Sequence, residues 1–96
     1  MRKNIELKAF LKNNEKIEKL HLTIKGVFRT EEDDYYCTVN IPLLFEKEKL
    51  IYGIDETQAK QLAVNFVKRV LDVSCIVDEN GNSVDFCSIA NEFFKQ

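Results

Sequence analysis

The 96-residue sequence predicts an α+β fold. The expected form is an antiparallel β-meander of four or more strands, with one main α-helix packed across one face and a short C-terminal helix or turn. Three observations lead there. Apolar and polar residues alternate with period two through the first half of the chain. A single long stripe of period three and four follows. Turn chemistry separates the segments.

Ile5 to Leu11 opens with alternation and fits a first strand, ended by the turn signal Asn13-Asn14. In the second strand Leu20, Leu22 and Ile24 take one side and His21, Thr23 and Lys25 the other, as in a half-buried antiparallel strand. Gly26 interrupts that alternation, and Val27 and Phe28 continue it past a bulge. Glu31-Glu32-Asp33-Asp34 reads as a solvated hairpin loop. It lacks the alternating oxygen ligands, central Gly and twelfth-position Glu of an EF-hand calcium loop. The third strand, Tyr35 to Ile41, turns Cys37, Val39 and Ile41 toward the helix and Tyr36, Thr38 and Asn40 away from it. Pro42 has no backbone N–H to donate and ends the strand. A polar-flanked connection from Leu43 to Lys49 leads to a short fourth strand, Leu50 to Ile54.

The clearest local signal is the helix start. Asp55 is placed as an N-cap, and Gln58 stands at the third helical position, a capping-box-like pair with Ile54 and Ala59 at staple positions. Ala59, Leu62, Ala63, Phe66, Val67, Val70 and Leu71 form one apolar stripe, while Lys60, Gln61, Asn65, Lys68 and Arg69 fall outside it. Ala59 and Ala63 allow close approach, and Phe66 fills the wider gap beyond. The helix runs to about Leu71, and Lys68 and Arg69 suit the negative end of its dipole. Val73 to Val77 reads as a fifth strand, Asn80-Gly81 as a type I′ turn, and Val84 and Phe86 as the return strand. Ser88 caps a last helical turn from Ile89 to Phe94.

Composition narrows the class. The apolar (45%) and charged (31%) fractions are those of a soluble single domain spanning residues 1–96. The longest apolar run, Ile41 to Phe45, falls far short of a membrane span, and the basic N-terminus has no apolar region behind it. Cys37, Cys75 and Cys87 give neither a disulfide framework nor zinc spacing, and reduced thiols point to the cytoplasm. Net charge is −2, unevenly placed. Residues 1–30 carry eight Lys/Arg against three Asp/Glu, a balance of +5, whereas residues 31–60 carry three against eight, a balance of −5. The mildly acidic total argues against a nucleic-acid surface.

The residues Tyr36-Cys37, then Tyr52-Gly53-Ile54-Asp55-Glu56-Thr57-Gln58-Ala59, Leu62-Ala63 and Leu71, resemble a family of small uncharacterised bacterial proteins classed as a domain of unknown function. That family's pattern is an aromatic-Cys strand followed by Gly-(Val or Ile)-Asp-x-x-Gln-Ala at a helix start. The likeness covers Tyr35 to Leu71, and the Gly-rich ending associated with such proteins is absent. It implies a bacterial cytoplasmic α+β domain and lends no catalytic residue.

No catalytic constellation emerges from the residues. His21 is the one histidine and lies on a polar strand face, and Gly26, Gly53 and Gly81 are too dispersed to cradle a phosphate. The expectation is therefore a non-catalytic protein-interaction domain, immunity- or antitoxin-like or self-associating, with no cofactor, metal, nucleic acid or membrane. Its partner is another protein or a second copy. The expected contact residues are Glu31, Glu32, Asp33 and Asp34, joined by Phe93 and Phe94, with the Glu46–Glu48 loop as a further acidic element. The alternative expectation is a small-molecule or lipophilic-ligand pocket between sheet and helix. A third, an enzyme using Cys37, His21 or the acidic cluster, ranks below both.

Overall fold

Four strands in a meander open the chain: β1 (Lys3–Asn13), β2 (Lys16–Arg29), β3 (Tyr35–Asn40) and β4 (Lys49–Gly53). Helix α1 (Glu56–Val73) then crosses one face, a two-residue strand β5 (Ile76–Val77) returns to the sheet, and helix α2 (Phe86–Phe94) closes the fold. This computed structural model describes residues 3–13 and 16–94, so part of the Asn13-Asn14 turn lies outside the described residues. The sheet order is β4-β3-β2-β1-β5 with every neighbouring pair antiparallel, which is the α+β architecture expected.

Beta-branched and leucine side chains at alternate positions make the inner face. Ile5, Ala9, Leu20, Leu22, Ile24, Cys37, Val39 and Ile41 are buried there against Ala59, Ala63, Val64 and Val67 of α1 and Phe86, Ala90 and Phe93 of α2. Each fully buried large side chain among them contributes roughly 1.5–3 kcal/mol of gross hydrophobic stabilisation. Phe45, in the β3–β4 connection, meets Phe66 of α1 at 5.8 Å between ring centroids and carries that connection onto the same layer.

The junction between β4 and α1 is the tightest point of the fold. A Cβ on Gly53 would lie 2.5 Å from the Ala59 nitrogen and 2.8 Å from its Cα, so only glycine lets the helix start this close to the strand. Asp55 caps as expected, its Oδ1 accepting from the Gln58 N–H at 2.7 Å. Gln58 Oε1 reaches back one residue further than in a standard capping box and accepts from Ile54 N–H at 2.8 Å. The staple does not form: Ile54 is 73% exposed, because the Gly53–Ala59 contact leaves it no room beneath the helix.

Several expectations require correction. The α1 stripe holds at Ala59, Ala63, Val67 and Val70, which are buried, and at Phe66 and Leu71, which pack partly buried against the core, but Leu62 is 41% exposed and Val64, outside the stripe, is buried. Val64 lies one turn beyond Lys60, whose Nζ sits 5.4 Å from the Phe93 ring centroid, so α2 covers the side of α1 that local periodicity assigns to solvent. The helix also continues to Val73, which takes the start of the expected fifth strand and leaves no basic residue in the last turn. Cys75 is consequently exposed in the turn rather than packed in a strand.

The tail departs further. Asp78 to Asn82 forms a three-residue hairpin loop, not a type I′ turn: Gly81 N–H donates to Asp78 O, Asp78 N–H donates to Asn82 O, and only Gly81 has positive φ. Asp78 Oδ1 stabilises that loop by accepting from Asn80 and Asn82 N–H. The return strand is reduced to a single bridge between Val77 and Ser83. Phe86 belongs to α2, and the cap is Asp85 instead of Ser88. Asp85 accepts from Ser88 N–H at 3.3 Å and from the Ser88 hydroxyl at 2.7 Å, which holds its carboxyl below the ordinary value of 3.8.

Candidate functional site

Period-two alternation gives the sheet a second face, and neither helix packs on it. Its side chains fall into cross-strand rows set by register. Phe28, Tyr36 and Tyr52 share one row; Lys25, Thr38 and Leu50 the next; Thr23 and Asn40 the third. The bulge between Lys25 and Phe28 keeps the first row in phase, since without an extra residue Phe28 would turn toward the core.

The first row is a stack of aromatics. Phe28 and Tyr36 lie 5.1 Å apart between centroids, and Tyr36 and Tyr52 5.4 Å apart. Such pairs contribute about 0.5–1.5 kcal/mol each; Phe28 and Tyr36 are half-buried in the row. Tyr52 is 54% exposed and Leu50, beside it on the edge strand, 46% exposed. Exposed apolar side chains that adjoin one another on a sheet, rimmed by polar groups, make a candidate docking site.

That row borders the acidic loop. Phe28 is two residues before Thr30, and Tyr36 two after Asp34, so Glu31, Glu32, Asp33 and Asp34 are held at the aromatic end of the sheet. The loop is well ordered by its own hydrogen bonds. Thr30 Oγ1 accepts from Glu32 and Asp34 N–H, Thr30 N–H donates to Asp34 O, and Asp33 takes φ 66° to close the turn. Asp33 is bound by the Arg29 guanidinium, whose pKa that contact raises. Glu31, Glu32 and Asp34 are exposed and carry the loop's remaining negative charge.

The other expected contact residues lie elsewhere. Phe93 is fully buried in the core, and Phe94 meets it edge-on at 6.0 Å while remaining 38% exposed on α2. The Glu46–Glu48 loop sits at the far end of the β3–β4 pair, about 20 Å of strand away from Glu31–Asp34. The aromatics that accompany the acidic loop are therefore Phe28, Tyr36 and Tyr52. Outward alternation of Tyr36, Thr38 and Asn40 was the available signal for this face. The positions of Phe28 and Tyr52 depend on the bulge and on loop lengths, which alternation alone does not supply.

The opposite end of the face is a basic arm, where β1 and β2 extend beyond β3. Lys8 pairs with His21 and Phe10 with Lys19, and Lys12 and the exposed Ile17 follow. His21 Nε2 lies 2.7 Å from Glu6 Oε1 in an exposed cross-strand contact. A cleft of about 660 Å³ runs along the arm, lined by Lys8, Phe10, Lys19 and His21 together with Asp78 and Glu79.

Two residues considered for chemistry are kept apart. Cys37 faces the core, where burial pushes its thiol up to about 11, and His21 stands on the opposite face, so these two do not form a nucleophile–base pair. Among the described residues no three His, Cys, Asp or Glu side chains converge to hold a metal ion, and no helix is long and apolar enough to cross a membrane. The sheet–helix interface expected to hold a lipophilic ligand is occupied by Leu22, Ile24, Val39, Ala59, Ala63 and Val67, all without exposure. The chain matches no protein-family model, no curated protein and no solved structure.

Proposed function

We propose that this chain is a non-catalytic protein-interaction domain of the bacterial cytoplasm, self-associating or immunity- or antitoxin-like, that works through the open face of its sheet. One observation carries the reading: the aromatic row Phe28–Tyr36–Tyr52 ends in the exposed Tyr52, with the exposed Leu50 beside it and the acidic loop at its border. Interface hot spots are rich in tyrosine because its large rigid ring loses little conformational entropy on burial while its hydroxyl finds a polar partner. The residues are held in place by backbone pairing on both sides of β3, so the surface is preorganised and association need not order it.

The test is affinity co-purification of the tagged chain from cells of its source, in parallel with a Leu50→Lys/Tyr52→Lys variant. Both positions are exposed, so the variant keeps the fold. The reading expects a stoichiometric protein partner, a second copy included, with the wild type and its loss with the variant. An identical set of bound proteins for both chains, or none for either together with a monomeric wild type, overturns it.

A further inference from the structure

We propose that the occupant of the open face is a second copy of this chain, stacked sheet to sheet across a two-fold axis; the inference rests on the interaction reading above. The face carries both halves of a complementary pair. Lys8, Lys12 and Lys19 outnumber Asp78 and Glu79, which share their cleft, on the arm at the end of β2 away from the aromatic row, while Glu31, Glu32 and Asp34 border that row. Lys19 and Phe28 are nine residues apart on β2, about 30 Å of strand.

A two-fold axis lying between two such faces and crossing β2 near Thr23 brings the arm of each copy over the aromatic corner of the other. Interfaces of this kind are isologous, so every contact is made twice. The groups near the axis do not oppose it: Thr23 and Asn40 are uncharged and half-buried, and the neighbouring Glu6 is already engaged by His21. Two antiparallel sheets stack with about 10 Å between them, which suits a face bearing tyrosines, leucine and the stems of lysines. Lys25 stands beside Thr38 and Leu50 next to the aromatic row and is the one exposed lysine at that corner among the described residues of β2 and β3.

The arrangement predicts a charge-swap result. Sedimentation equilibrium of the full chain should give twice the 11.2 kDa chain mass at tens of micromolar. Glu31→Lys/Glu32→Lys, which makes the corner basic, and Lys8→Glu/Lys19→Glu, which makes the arm acidic, should each weaken self-association by roughly tenfold or more. Mixing the two variants should restore a dimer, because each then offers the other an opposite charge at both ends. All four positions are exposed, and circular dichroism of each variant establishes that it is folded. A wild type that stays at the monomer mass throughout overturns the second copy as occupant. A dimer indifferent to both reversals does so too, as does a mixture that remains monomeric. A monomeric wild type that co-purifies with a different protein in a Tyr52-dependent manner also overturns this inference, yet leaves the interaction reading standing.

Discussion

Replacing Gly53 by alanine tests the packing that organises this fold. The added methyl would sit 2.5 Å from Ala59 N, 2.8 Å from Ala59 Cα and 2.9 Å from the Gln58 carbonyl carbon, all backbone atoms of the first turn of α1. Favourable contact begins near 3.5 Å, so strand and helix must separate by roughly 1 Å. That turn is pinned by the Asp55–Gln58 and Gln58–Ile54 hydrogen bonds, and moving it disturbs the cap as well as the buried Ala59. Overpacking of this kind costs about 1–3 kcal/mol, more than the 0.4–1 kcal/mol that alanine gains by restricting the unfolded chain. Total stability for a domain of this length is on the order of 5–14 kcal/mol. A net loss of about 2 kcal/mol lowers the thermal midpoint by roughly 8–16 °C, measured by circular dichroism at 222 nm or read as a lower urea midpoint. Gly81→Ala is the control: nothing lies within 4 Å of its Cβ, and only its φ of +83° resists the change. A Gly53→Ala midpoint equal to or above the wild type would refute the close approach.

Other outcomes follow from the same contacts. Leu62→Lys should change stability by no more than about 0.5 kcal/mol, whereas Val64→Lys should abolish the cooperative transition, because of the two only Val64 is buried in the core. A thiol reagent at pH 8 should label Cys75 and Cys87 rapidly and Cys37 only after unfolding. Because the folded Cys37 pKa is raised from 9.0 to about 11, its stabilising contribution is complete below pH 9 and is lost as pH rises toward 11; Cys37→Ala should remove that alkaline decline. Asp85→Ala should lower the thermal midpoint at neutral pH. Since the folded Asp85 pKa is depressed, the difference from wild type should persist above pH 3.8 and close as pH falls through the lower folded value.

What was legible in the sequence is what local chemistry decides. Asp55 and Gln58 satisfy the same few N–H groups in any fold that starts a helix there, and Leu20, Leu22 and Ile24 share a side because strand geometry leaves no alternative. The α1 stripe is legible except at Leu62 and Val64: Phe93 of α2, from the last residues of the chain, lies against Lys60 one turn before the buried Val64, and no window around Val64 contains that information. Val84 and Phe86 alternate over too short a span to separate strand from helix, and the Asp85–Ser88 pair, a cap by spacing and chemistry, decides it. The open face was half readable. Tyr36 is outward by alternation, but its neighbours come from β2 beyond a bulge and from β4 beyond a loop, so the aromatic row exists only once register is set.

The central claim, that the open sheet face is the working surface and a second copy its occupant, is tested most directly by hydroxyl-radical footprinting of the purified chain at dilute and at high concentration, read residue by residue by mass spectrometry. Oxidation of Leu50, Tyr52 and Ile17 should fall together as concentration rises, while Val73, exposed at the C-terminal end of α1, should be unaffected. Equal oxidation of Leu50 and Tyr52 at both concentrations would contradict it.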